Sequence, residues 1–186
     1  MLSEMTESDF EKEAALVETV LFLESEPRDE ALISKISHLE LENVESAIER
    51  LKVKYRAENS GIQLEKIAGG WMLVPKKETW EIVHERYGNK NEGKLSRAAL
   101  ETLSIIAYSQ PVTRAEIESV RGVSADNMIR LLVERKLVQE VGKKDIPGHP
   151  AEFGTTDEFL KYFHLNSIAD LPKLDESEEE RFTLAR

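Results

Sequence analysis

The sequence predicts a mainly α protein with small β wings, an α+β arrangement of winged-helix domains in tandem. Three observations carry this. The same order of elements, three helices, an alternating strand pair and a closing helix, occurs twice. Each series stops its first helix at a Ser-X-Pro signal, "SEP" ending at Pro27 and "SQP" ending at Pro111, and setting one proline on the other gives an offset of 84 residues. The second series then holds a well-specified helix-turn-helix corner.

In the first series, Phe10 to Leu23 forms an amphipathic helix with apolar residues at Phe10, Ala14, Val17 and Leu21, widened by Leu16, Val20 and Leu23. A short helix follows over Arg28 to Ile36, and a longer one over Leu41 to Tyr55 with Val44, Ile48 and Leu51 facing inward. "GIQLEKIAGGWMLVP" reads as two alternating runs split by Gly69-Gly70, a hairpin signal. Lys76 to Tyr87 closes the unit as a helix.

The second series opens with Leu95, Ala99, Leu103, Ile106 and Ala107 along one helical stripe. Thr113 and Glu116 make a capping box, so a helix starts near Thr113 and carries Ala115, Ile117 and Val120 on its apolar side. Gly122 suits the left-handed backbone that ends a helix, and Ser124 is placed to cap the next one, over Ala125 to Lys136. "LVQEV" and "AEFGTT" are the strands of a second hairpin, joined by "GKKDIPGHP", and Thr156 to Phe163 is the closing helix. Trp71, shifted by the offset, falls within two positions of Phe153. The expected division is a first domain over 1–90, a second over 91–172 and an acidic, disordered tail over 173–186, with the polar joint "YGNKNEGK" at 87–94.

Composition limits the function. The chain has 186 residues, 40% of them apolar and 33% charged, and a formal net charge of −11. No apolar run approaches the roughly 20 residues that span a bilayer, and the first residues are acidic where a secretion signal is basic, so a cytoplasmic protein with no membrane partner is expected. There are no cysteines, which excludes disulfides and thiolate metal sites. His38, His84, His149 and His164 show no metal-ligand spacing. Gly142-Lys143-Lys144 lacks the rest of a phosphate loop and reads as a wing tip. Ser96, Ser104 and Ser109 lack a base in nucleophile context, and Glu178 to Glu180 lie in the tail where nothing shifts their pKa. No enzyme, cofactor, metal or small-molecule substrate is expected.

Charge also weighs on the helix-turn-helix. Residues 1–90 hold 12 basic against 19 acidic side chains, net −7, and residues 91–186 hold 13 against 17, net −4. An acidic unit must overcome repulsion to hold phosphates. Residues 94–144 carry a local +3, so weak DNA contact remains open there, but the second helix offers Asn127 and Arg130 beside Asp126 and Glu134, thin chemistry for base reading. The alternative of a tandem winged-helix transcriptional regulator stays open on the residues alone. In the first helix, Leu16, Val17, Val20, Leu21, Phe22 and Leu23 are more apolar surface than one face of a small domain buries, which predicts packing against a second copy.

"KLSRAALETLSIIAYSQPVTRAEIESVRGV" and "LVERKLVQEVGKKDIPGHPAEFGTTDEFLKYFHLNSIADLP" resemble the segregation and condensation protein B family, ScpB, of bacterial SMC complexes. The resemblance is dense from Lys94 to Pro172 and looser over 1–90, where "VLFLESEP" carries it. It departs at "GHP", where the family usually has "GRP", so no arginine role passes to His149. The resemblance implies a non-enzymatic, nucleoid-associated subunit of tandem winged helices. It would dimerise through the amino-terminal domain and bind the kleisin ScpA, and through it the SMC ATPase, in chromosome condensation and segregation at cell division. Tyr108, Gln110, Pro111, Arg114, Arg121, Thr155 and Phe159 lie in the matching segments and are the candidate partner-binding residues. Arg114 and Arg121 lead them, because both flank the capped helix outside its apolar stripe. Leu16, Val17, Val20 and Leu21 are the candidate dimer residues.

Overall fold

A computed structural model describes residues 7–87 and 95–174. The expected joint, beyond Tyr87, and the expected acidic tail, from residue 175 on, lie outside the described residues. The chain divides into two compact units, Met1–Lys90 and Asn91–Arg186.

The first unit is built from α1 (Glu7–Leu23), α2 (Glu30–Ser37), α3 (Leu41–Arg56), the antiparallel pair β1 (Ile62–Ile67) and β2 (Gly70–Pro75), and α4 (Lys77–Tyr87). Apolar residues three or four apart on α3, Val44, Ala47, Ile48, Leu51 and Tyr55, meet Ala14, Val17 and Leu21 of α1 and Ile33 of α2 in one core, with Trp71 of β2. Each fully buried Leu or Ile there contributes roughly 1.5–3 kcal/mol by leaving water. The Trp71 indole donates to Glu30 at 2.8 Å, and the Lys52 ammonium stands 4.4 Å over its ring.

The hairpin turn sits one residue earlier than the glycine pair suggests. Ala68 and Gly69 take positive φ, 48° and 81°, and Gly70 is already paired with Ile67. Gly70 serves a close approach instead. Arg28 bridges to Trp71 through both backbone hydrogen bonds, and a Cβ on Gly70 would stand 2.6 Å from the Arg28 nitrogen.

The second unit contains α5 (Arg97–Ser109), β3 (Val112–Thr113), α6 (Arg114–Arg121), α7 (Asp126–Glu134), β4 (Val138–Lys143), β5 (Ala151–Thr155), α8 (Asp157–Tyr162) and a 3-10 turn, Ile168–Asp170. The strands form one antiparallel sheet in the order β3-β5-β4, with a bulge between Glu140 and Gly142. β3 was not visible in the sequence because two residues carry no periodicity. Leu103, Ile106, Ile117, Leu132, Val138 and Phe159 are among the core residues, and Leu165 and Leu171 pack back on them. The class is mixed α+β, mainly helical, with a small antiparallel sheet in each unit.

Candidate interaction site

The helix-turn-helix corner is fastened at three points. At its entrance the expected capping box is present: the Thr113 hydroxyl accepts from the Glu116 backbone, and Glu116 accepts from the Thr113 N–H at 2.8 Å. Burial pushes the Glu116 carboxyl up, but hydrogen bonds from Lys144 and from the Thr113 backbone and hydroxyl outweigh it and hold its pKa below the ordinary 4.5. Lys144 belongs to the wing loop, so this ion pair ties wing to corner. At the turn, Gly122 takes φ 71° as expected.

The start of α7 differs from the expectation. Ala125 is its cap position and Ser124 does not cap it. The Ser124 hydroxyl and the Ala125 N–H both donate to Glu118 of α6, at 3.1 and 2.9 Å, so a side chain from the preceding helix supplies the missing acceptor. Glu118 has no short-range spacing that would betray this role. α7 stops at Glu134 rather than Lys136, because Lys136 turns left-handed (φ 58°) to enter β4.

The candidate partner residues separate on burial. Pro111 and Arg114 are exposed. Arg114 is 59% exposed at its side chain and pairs with Asp126 at 2.9 Å, an acid that Arg130 also approaches at 3.5 Å. The Glu118 carboxylate also acts on Arg114, so two cations and two acids leave this face with little net charge. Arg121 corrects the expectation. Its side chain is only 7% exposed, donating to the Ser124 carbonyl at 3.0 Å with its Nε 3.8 Å from Glu101, so it holds the corner instead of offering a free guanidinium. Phe159 is corrected too: it is 2% exposed and fills the core beside Phe163. The Gln110 side chain is spent within the unit, its carbonyl accepting from the Thr155 N–H at 2.7 Å and from the Thr155 hydroxyl at 3.1 Å while its amide donates to the Ala107 carbonyl at 3.2 Å. Tyr108 donates its hydroxyl to the Pro172 carbonyl at 2.7 Å. Sequence reasoning missed Val123 at the turn and Ile146 in the wing loop, both exposed apolar residues.

The candidate dimer residues separate in the same way. Val17, Val20 and Leu21 are buried within the unit, Val17 completely, and Val17 and Leu21 lie in the core that α1 forms with α2 and α3. They have no surface left for a second copy. Leu16 is exposed, as are Phe22 (76%) and Leu23. The larger outward apolar set lies on α4, where no described side chain is buried: Trp80, Val83 and Tyr87 recur at helical spacing, with Ile82 81% exposed beside them. The sequence predicts only a closing helix over Lys76 to Tyr87 and assigns it no face.

Among the described residues no group of three or more His, Asp or Glu could hold a metal ion, and no helix is long and apolar enough to cross a membrane.

The family model for "Segregation and condensation complex subunit ScpB" matches residues 15–174, across both units. The chain belongs to the ScpB family. Among curated ScpB proteins, the segregation and condensation protein B of Clostridium tetani is 39% identical over 166 residues, covering 89% of this chain and 88% of that protein. That of Symbiobacterium thermophilum is 40% identical over 160 residues, covering 86% and 73%. The crystal structure of ScpB from Mycobacterium tuberculosis is 28% identical over 87% of this chain and 98% of its own, with a TM-score of 0.40. The family description is that of a complex subunit and names no reaction.

Proposed function

We propose that this chain is a non-enzymatic scaffold subunit of a bacterial SMC complex, a homodimer of tandem winged-helix units that binds the kleisin ScpA and reaches the SMC ATPase through it. It works in the cytoplasm on the nucleoid, supporting chromosome condensation and segregation during cell division, and touches DNA only weakly or indirectly. The observation that carries the reading is the family match across residues 15–174, which takes in the helix-turn-helix corner, the wing and the first unit alike. The kleisin face is the exposed part of the corner, Pro111, Arg114 and Val123, presented by the buried Arg121. The near-neutral charge around Asp126 supports a protein ligand over phosphates.

Titration calorimetry of the full chain with the central region of the kleisin tests this, with random duplex DNA as the control ligand. Binding to the kleisin, weakened by Arg114→Ala in a folded variant, is expected. Tight DNA binding with a steep salt dependence and no kleisin binding would replace this reading with that of a regulator.

The dimer seam is assigned to the outward residues Leu16, Phe22 and Leu23 of α1 and to the apolar side of α4. Sedimentation of the full chain should show a dimer that Ile82→Glu with Phe22→Glu dissociates. A dimer that survives both substitutions places the seam elsewhere.

A further inference from the structure

The sheet of the first unit has two edges, and among the described residues the β2 edge is bridged at Trp71 alone. On β2, Trp71 points its N–H and C=O away from β1 and spends both on Arg28. Pairing alternates along an antiparallel ladder, so on β1 the residues turned away from β2 are those opposite such positions: Lys66, which faces Trp71, then Leu64 and Ile62. Ile62 is already satisfied, its carbonyl accepting from the Ser60 hydroxyl at 2.7 Å and its N–H donating to the same oxygen at 3.4 Å. The backbone groups of Leu64 and Lys66 have no protein partner among the described residues. β1 also keeps six unbroken pairs with β2, with no bulge and no proline of its own to blunt the edge.

Beside this strand lies a groove of about 410 Å³ whose lining includes Lys52, Arg56, Leu64, Glu65 and Lys76. Lys52 is paired with Glu49 at 2.6 Å. Arg56 and Lys76 have no ion-pair partner among the described residues; Lys76 donates once, to the Ala57 carbonyl at 2.7 Å. An ammonium has three N–H donors and a guanidinium five, so most of their capacity is unspent. A cationic groove beside an open edge, on a unit whose residues 1–90 carry a net −7, selects for acidic side chains against its own background.

We propose that the β1 edge and this groove form a docking site for an extended, acidic peptide segment of a partner protein. The segment adds as a third strand, exchanging backbone hydrogen bonds with Leu64 and Lys66, while alternate carboxylates meet Arg56 and Lys76. The site is separate from the corner assigned to the kleisin and does not depend on that reading.

The test uses the full chain and a labelled peptide of about ten residues alternating Glu and Val, its Lys-for-Glu counterpart, and an acidic version N-methylated at alternate backbone nitrogens. Fluorescence anisotropy should show binding of the acidic peptide alone. Arg56→Glu with Lys76→Glu should weaken it roughly tenfold or more, and Lys76→Gln should weaken it less, each with an unchanged circular dichroism melt. The milder variant keeps the test decisive if the charge reversal perturbs folding. N-methylation should also abolish binding. Equal binding of the acidic and basic peptides, parental affinity in both variants, or indifference to N-methylation would overturn the proposal. So would a change in sedimentation mass on charge reversal without an effect on the peptide, which would assign the edge to a second copy of this chain.

Discussion

Shifted by 84 residues, the two units agree at the level of single residues in their first corner and disagree in what closes them. Arg28 bridges Trp71 where Val112 pairs with Phe153. Asp29 caps α2, its carboxylate accepting from Leu32 at 2.7 Å, where Thr113 caps α6. Ile33 and Ile117 are both completely buried. His38 and Gly122 both end their helices with left-handed backbone, at φ 58° and 71°. The closing helices then part company. α8 sends Phe159 into its core, whereas α4 buries none of its described side chains and turns Trp80, Ile82 and Tyr87 outward. The shared corner is what each unit needs to fold, and the divergent closure is where apolar surface remains for association.

The sharpest way to break this equivalence is in the cores. Ile33→Ala and Ile117→Ala should each cost about 2–5 kcal/mol, since each removes a fully enclosed side chain at the same place in its unit. Hydrogen exchange resolved by residue should show protection falling in the mutated unit only. Loss of protection in both units would mean that they do not fold independently.

The caps come next in size. Asp29→Ala and Thr113→Ala should each destabilise by about 1 kcal/mol, with Thr113 the costlier because Glu116 loses its reciprocal bond as well. Urea midpoints followed by circular dichroism report both. At the helix ends the two units should respond with opposite sign. His38→Gly should stabilise by several tenths of a kcal/mol, relieving a left-handed histidine, whereas Gly122→Ala should destabilise by about 1 kcal/mol.

The smallest expected effect is in acid. Burial raises the Glu30 carboxyl as it raises that of Glu116, but bonds from the Trp71 indole, its own backbone N–H and Lys66 prevail, so both acids titrate below 4.5 when folded. A depressed acid stabilises the fold above its unfolded value, and that contribution is lost as pH falls through the folded one. Stability should therefore fall below about pH 4.5 in both units, and Glu30→Gln and Glu116→Gln should each flatten the pH profile of its own unit.

Much of this comparison was legible in the sequence because its signals are local. The Thr113–Glu116 capping box, the helical stripes on α1, α3 and α5, and the Ser-X-Pro stops depend on residues within a turn or two of each other, and these lie where the pattern places them. What escaped is the direction each face takes. The α1 stripe at Ala14, Val17 and Leu21 and the α4 stripe at Trp80, Val83 and Tyr87 look alike as strings, yet only the first lies in a core with α2 and α3. Arg121 was read as solvated because it lies off the apolar stripe of α6, but Ser124 and Glu101, reached through the turn and from α5, enclose it. The outward surface of a small helical unit follows from which neighbours arrive, and period alone does not carry that.

One contact bears on the mechanics of the second unit. The Tyr108 hydroxyl holds the Pro172 carbonyl at 2.7 Å, and Leu165 and Leu171 seat the intervening stretch on the core. A pull exerted on the chain beyond residue 172 therefore enters the unit through α5, its most buried helix, before it can peel α8 from the core. Tyr108 acts as a strain relief, and Tyr108→Phe would move the point of load to Leu171 and Phe159.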